Sequence, residues 1–270
     1  MSLESSVQQQ YQKYYSQTQA TLGRGDTGLT PEDQEFFPAT EKQRYRLYPY
    51  FKELMEFENW AGKKVLEVGV GEGTDHSRFA KGGADLWGVD LTPRHLEITQ
   101  KRLNYFNLKS RLQQADAENL PFPDSTFDLV YSCGVLFLVP GIEKAVSEIY
   151  RVLKPGGKVI ALFYHTHSFF YYLNILLYHG AIEGELLFLT LNKLKDWYAG
   201  DGLGYPPMRY FTKKELGELF RAFKNPQFFV NQLEQWPVPG QGWIMPCKVL
   251  DFLSRRFGYF LTIKAYKSEV

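Results

Sequence analysis

The stretch VLEVGVGEGTD, Val65 to Asp75, limits what this chain can fold into more than any other. An apolar strand carries Glu67 near its end, glycines follow at positions 69, 71 and 73, and a helical pattern then begins. Glycine at a strand-to-helix turn reaches φ/ψ values closed to other residues and lets a ligand approach bare backbone. A dinucleotide fingerprint needs its third glycine three places after the second. Thr74 stands there, so the spacing argues against a pyrophosphate dinucleotide and for another nucleotide-like ligand.

From Lys64 onward, short apolar strands alternate with helices. Val65 to Val68 precedes a helix from Thr74, and Ala84 to Val89 precedes one opened by Thr92 and Pro93. A short strand near Leu112 and another over Phe127 to Ser132 follow, then a helix over Gly141 to Leu153 and a strand over Lys158 to Phe163. That helix carries Ile142, Ala145, Val146, Ile149, Val152 and Leu153 on one face, the period of a helix covering a sheet. Such alternation implies a parallel α/β sheet with ligands at the carboxyl ends of its strands. Asp90 closes the second strand 17 residues after Gly73, where a carboxylate can accept from both ribose hydroxyls. Asp116 lies just past the third strand, within reach of an adenine amino group. Glycines with both aspartates at matched strand ends suit an adenosine without phosphates.

On these residues the sequence resembles the class I S-adenosylmethionine-dependent methyltransferases of small-molecule type. VLEVGVGEG resembles the family's first motif, GVDLT its second, ADAENLPFPDSTFDLV its third and fourth, and EIYRVLKPGGKVIAL the lead into the fifth strand. The match covers about residues 60 to 165, with weaker support from YFLTIKAYK. The resemblance implies a Rossmann-like, mostly parallel seven-stranded sheet with helices on both faces. It also implies S-adenosyl-L-methionine as cofactor and a methyltransferase activity. By resemblance, Glu67, Gly69, Gly71 and Gly73 border the methionine and ribose, Asp90 with Leu91 holds the ribose diol, Asp116 and Ala117 flank the adenine, and Ser132 joins the cofactor site. The expected reaction is methyl transfer to oxygen or nitrogen of a small apolar or aromatic metabolite. Carbon or carboxyl methylation of a quinone, lipid or polyketide intermediate is the alternative, and a non-catalytic cofactor-binding protein the rival from another class.

The chain departs from its relatives in places. Phe137 and Leu138 follow Leu136 where relatives with this Gly-Val-Leu motif often carry histidines. Neither Ser132 nor Cys133 is the acidic residue of metal-dependent catechol-type enzymes and polyamine synthases, so no metal is expected. The Asn/Asp-Pro-Pro-aromatic motif of base-amine methyltransferases is missing after the fourth strand. His165 and His167 directly follow the fifth strand. His165 is the candidate general base, and His167, Tyr164 and Tyr205 are candidate substrate contacts. His76, His95 and His179 fall in helical patterns and read as surface or satisfied residues.

Around this core, residues 1–60 read as an N-terminal helical cap, 61–164 as the cofactor-binding core, 165–210 as an inserted helical lid rich in Phe, Tyr and Leu, and 211–270 as completion of the sheet. In the cap, a second helix is expected to start at Thr40, with Gln43 at capping-box spacing, and Tyr11, Tyr14 and Tyr15 share a helix face. Thr212 and Glu215 form a capping box with the staple pair Phe211 and Leu216, opening a helix to Phe223. A strand near Gln227 to Val230, a loop over Pro237 to Gly242 and a last strand over Tyr259 to Tyr266 follow.

Charge and composition bound the partners. Lys and Arg total 31 against 30 Asp and Glu, with no basic run beyond pairs such as Lys213-Lys214 and Arg255-Arg256, so no nucleic-acid partner is expected and a small-molecule acceptor is. Cys133 and Cys247 sit in apolar contexts that suit free thiols, and MSLESSVQQQYQKYYSQ lacks the pattern of an export signal, so a cytoplasmic location is expected. FFYYLNILLY, Phe169 to Tyr178, is half of the ~20 residues that span a bilayer. It suits contact with a membrane surface or an apolar ligand, without stable insertion. Sequence leaves the oligomeric state open.

Overall fold

The β-branched and leucine-rich run from Lys64 to Val68 forms β1, every residue after Lys64 buried. A computed structural model describes residues 28–191, 193–194, 209–233 and 247–269. The expected cap tyrosines Tyr11, Tyr14 and Tyr15, the candidate Tyr205 and the loop 237–242 lie outside the described residues.

Around β1, the order is α1 (Phe36–Leu47), α2 (Phe51–Leu54), β1, α3 (Thr74–Lys81), β2 (Asp85–Asp90), α4 (Pro93–Tyr105), β3 (Arg111–Gln114), β4 (Phe127–Cys133), α5 (Ile142–Val152) and β5 (Leu153–His165). A π-helix (Phe170–Ile182), a 3-10 turn (Glu185–Leu187), β6 (Tyr210–Phe211), α6 (Lys213–Leu219), β7 (Lys224–Asn231), α7 (Cys247–Phe257) and β8 (Phe260–Tyr266) complete it. The strands take the order β3-β2-β1-β4-β5-β8-β7, with the two-residue β6 beside β5. β2 and β4 flank β1 in parallel, β3 pairs parallel to β2, and β6 parallel to β5. β8 runs against β5: Lys267 exchanges backbone bonds with Gly156 and Gly157 at one end, and the His165 amide donates to Tyr259 at the other.

The chain divides into two units. One comprises the described residues up to Ala161 with Ala222–Asn225 and those from Ala265 on. The other comprises Leu162–Arg221 and Pro226–Lys264.

In the first unit, Val65, Leu66, Leu129, Val130, Val159 and Ile160 are buried along the central strands. The expected stripe on α5 is buried through Ile142, Ala145, Val146, Ile149 and Val152, while Leu153 already begins β5. α1 corrects the expected helix start at Thr40, because it begins four residues earlier, at Phe36. Thr40 sits mid-helix instead, its hydroxyl donating to the Phe36 carbonyl at 2.8 Å and accepting from Arg102 at 2.7 Å. Arg102 on α4 is fully buried and also donates to the carbonyls of Glu72 and Phe37, so one guanidinium ties α1, α4 and the glycine turn together. Burial pulls its pKa down to about 10.

In the second unit, the capping box forms as expected: Thr212 accepts from the Glu215 amide and Glu215 from the Thr212 amide. α6 is shorter than expected, ending at Leu219, and β7 is longer. Tyr164 packs among Tyr210, Tyr259 and Phe260.

Candidate active site

The carboxyl ends of β1, β2 and β4 and the segment after β3 surround one cavity, lined entirely by the first unit. Gly69 follows β1 at φ 81°, and a Cβ there would come within 2.2 Å of the Val135 side chain. The turn therefore closes against the loop after β4 only with glycine. Gly73, at φ 74°, is the N-cap of α3, and a Cβ there would meet Thr99 at 2.8 Å. Gly71 faces the cavity, whereas Gly73 supports the turn from behind.

Asp90, at the end of β2, presents its carboxylate at the cavity. The backbone fixes it: Oδ2 accepts from the Gly71 amide at 3.0 Å and Oδ1 from the Thr92 amide at 2.9 Å. His95 on α4 adds its Nδ1 at 3.2 Å from Oδ1. Leu91, Asp116 and Ala117 line the same cavity, and Asp116 Oδ1 accepts from the Glu118 amide. Val135, Leu138 and Pro140 give it an apolar wall. Ser132, expected in the cofactor site, is buried, its hydroxyl donates to the Val68 carbonyl at 2.9 Å, and it is not among the residues that line this cavity.

Glu67 also lines the cavity, but not as a free carboxylate. His76, read from sequence as a surface or satisfied residue, is fully buried on α3 behind it. The Ser110 hydroxyl spends its one proton on the Leu86 carbonyl, so the oxygen accepts from His76 Nε2 at 2.8 Å. One proton then remains between His76 Nδ1 and Glu67 Oε2, 2.8 Å apart. Burial pushes Glu67 well above the carboxylic-acid range and pulls His76 down to about 3, so the proton sits on Glu67.

A second buried cluster borders the cavity. Asp75, in the first turn of α3, accepts from Arg44 through both carboxylate oxygens, from Tyr45 at 3.0 Å and from Tyr131 at 2.7 Å. The Cys133 thiol lies 3.4 Å from Arg44, and burial raises it to about 12. Sequence reasoning passed over Arg44 and Asp75, and read His95 only as a surface or satisfied residue. Asp75 alone carried a signal, as an acidic residue in the first turn of the helix leaving the glycines.

The candidate base lies in the second unit. His165 at the end of β5 is buried, and its Nδ1 donates to the Gly258 carbonyl at 3.1 Å, which leaves the lone pair on Nε2. Burial lowers its pKa to about 4. His165 and His167 line a separate cavity with Tyr172, whose hydroxyl is 2.5 Å from His167 Nδ1. Tyr164 lines neither cavity.

Residues 66–161 match the model of a methyltransferase domain. Over that segment the chain is similar to the class I S-adenosylmethionine-dependent methyltransferases, whose fold it shares. The cofactor of this family is S-adenosylmethionine. The chain is 36% identical over 157 residues to a demethylmenaquinone methyltransferase of Tropheryma whipplei, covering 54% of this chain and 64% of that one, so it spans less than two thirds of that relative's length. It is 39% identical over 97 residues to a sterol 4-C-methyltransferase of Caenorhabditis elegans, covering 35% of this chain and 29% of that one. Its fold is similar to that of a geranyl diphosphate C-methyltransferase from Streptomyces coelicolor, with a TM-score of 0.59 at 15% identity and 98% of each chain covered. A possible histamine N-methyltransferase from Thermotoga maritima follows, with a TM-score of 0.53 at 24% identity, covering 87% of this chain and 97% of that one.

Proposed function

We propose that this chain transfers a methyl group from S-adenosylmethionine to oxygen or nitrogen of a small, apolar or aromatic metabolite. The observation that carries the reading is the Asp90 carboxylate, held by two backbone amides at the edge of a cavity walled by Val135, Leu138 and Pro140. Asp90 would accept from the ribose hydroxyls, Asp116 and Ala117 would flank the adenine, and the turn at Gly69 and Gly71 would admit the methionine part. The cavity's other carboxylates, Glu72, Asp75, Asp116 and Glu118, outnumber its one guanidinium among the described residues, Arg44, which suits a cationic sulfonium ligand and opposes a pyrophosphate. When bound, that ligand would supply a methyl carbon already activated for in-line attack, with the thioether sulfur as leaving group.

The chain then has to exclude water, orient the acceptor and take its proton. We assign the proton to His165 Nε2: the Nδ1–H bond to Gly258 fixes the tautomer and aims the free lone pair. In that role His165 Nε2 would take the O–H or N–H proton that the acceptor sheds. His167, Tyr164 and Tyr205 remain our candidate acceptor contacts.

A second reading, methylation at carbon of a quinone or lipid, is favoured by the relatives named as demethylmenaquinone and sterol 4-C-methyltransferases. Incubation with methyl-labelled S-adenosylmethionine and a panel of phenols, amines, quinols and isoprenoids, with the methyl located by NMR, tests both. A labelled ether or amine is expected, a labelled carbon selects the second reading, and no transfer to any acceptor contradicts both. In single turnover with the acceptor so found, His165→Ala should lose roughly 10²- to 10⁴-fold. Unchanged turnover would remove His165 from the mechanism.

A further inference from the structure

The second unit exposes a row of large apolar side chains. Along the π-helix and the turn after it, Leu177, Ile182, Leu187 and Phe188 face solvent, with Leu187 82% and Phe188 87% exposed. Phe252 on α7 is exposed as well. Large exposed apolar side chains concentrated on one segment point to an interaction site rather than ordinary surface. No helix among the described residues is long and apolar enough to cross a membrane.

Cations border the same segment. Lys213 and Lys214 on α6 and Arg255 and Arg256 on α7 line the same concave surface as His165 and His167, with Tyr172 of the π-helix and Phe252, and this lining contains no acidic residue. Phe169, just before the π-helix, stacks on Phe257 at 4.8 Å, which fixes the start of the apolar segment against the end of α7 that carries the arginines. Acidic groups lie close by. Asp251 is held by Arg255 at 2.9 Å, Glu183 by His179 at 2.7 Å, and Glu215 is engaged in the cap of α6. Glu185 and Glu218 also belong to these elements.

Apolar side chains projecting from a short helical segment, next to a concentrated positive surface, match the two demands of an anionic lipid interface: burial at the acyl boundary and attraction to headgroup phosphates. From this combination we propose that the surface formed by residues 169–191, Lys213, Lys214, Arg255 and Arg256 docks the protein onto anionic phospholipid bilayers. A second copy of the chain would offer the same positive charge and repel it.

Vesicle flotation of the full chain tests this, with phosphatidylcholine alone and with phosphatidylcholine containing phosphatidylglycerol. Binding is expected to the anionic vesicles and to weaken with added salt. K213Q/K214Q should lose on the order of tenfold or more in affinity, since each cation near an anionic surface contributes about fivefold. L187S/F188S should lose binding at low and high salt alike. S-adenosylmethionine affinity, a property of the first unit, should be unchanged in both variants and reports that they are folded. Equal binding to neutral and anionic vesicles, no binding to either, or parental binding by both variants would overturn the proposal. So would a dimer in sedimentation that L187S/F188S dissolves. If a variant fails to fold, the salt and lipid dependence of the unaltered chain decides.

Discussion

Asp90 is the residue on which the cofactor reading turns. Its carboxylate is fixed by the Gly71 and Thr92 amides, so it meets a ligand without reorganising. Asp90→Asn keeps one carbonyl oxygen and loses the charge, and should weaken S-adenosylmethionine binding by about 1.5–3 kcal/mol. Calorimetry on the folded variant checks this, and unchanged affinity would move the ribose partner elsewhere. The buried histidines make a pH prediction. The native Glu67–His76 pair holds one proton. Unfolded, the two groups also hold one between their ordinary values of 4.5 and 6.5, so the pair adds no slope in that window. His165 does add one. Burial lowers it from 6.5 to about 4, so the unfolded chain binds more protons there, and stability present above pH 6.5 is lost as pH falls toward 4. Urea titrations of the parent and of His165→Gln across that window should show a shallower loss in the variant, and equal slopes would contradict the burial argument.

Among the elements, local chemistry was legible where it is self-contained. The capping box at Thr212 and Glu215 forms as the spacing implies, and Thr212→Ala should cost about 1 kcal/mol in denaturant unfolding while leaving S-adenosylmethionine affinity intact. A loss under a few tenths of a kcal/mol would mean that packing of Leu216 alone holds α6. The same spacing misled at Thr40, where the partner is not three residues on but Arg102 on another helix. The stripe on α5 and the strands β1, β2 and β4 were visible because burial repeats with the period of the element. The π-helix had no such sign: apart from Asn174 and His179 its sequence, FYYLNILLYHGAI, has no polar break to mark a face, and periodicity cannot place a helix of that kind.

Over the whole molecule, the mostly parallel α/β sheet followed from the alternation of elements. Arg44, Asp75 and the protonated Glu67 did not, because their roles come from residues 9 to 89 positions away that only the fold brings together. For the same reason sequence gives the position of Ser132 on β4 but not the turn of its hydroxyl to Val68. Ligand binding should couple to folding of the first unit. Saturating S-adenosylmethionine at about 100 times its Kd should add about 2.7 kcal/mol to stability, read as a shift of the denaturant midpoint. No shift would mean that the cavity does not bind it. The most direct measurement of the central claim is titration calorimetry of the full chain with S-adenosylmethionine, S-adenosylhomocysteine and NAD in turn, repeated on Asp90→Asn. The account predicts binding of the first two, none of NAD, and weakened binding in the variant. Binding of NAD with no heat from either sulfur ligand would contradict it.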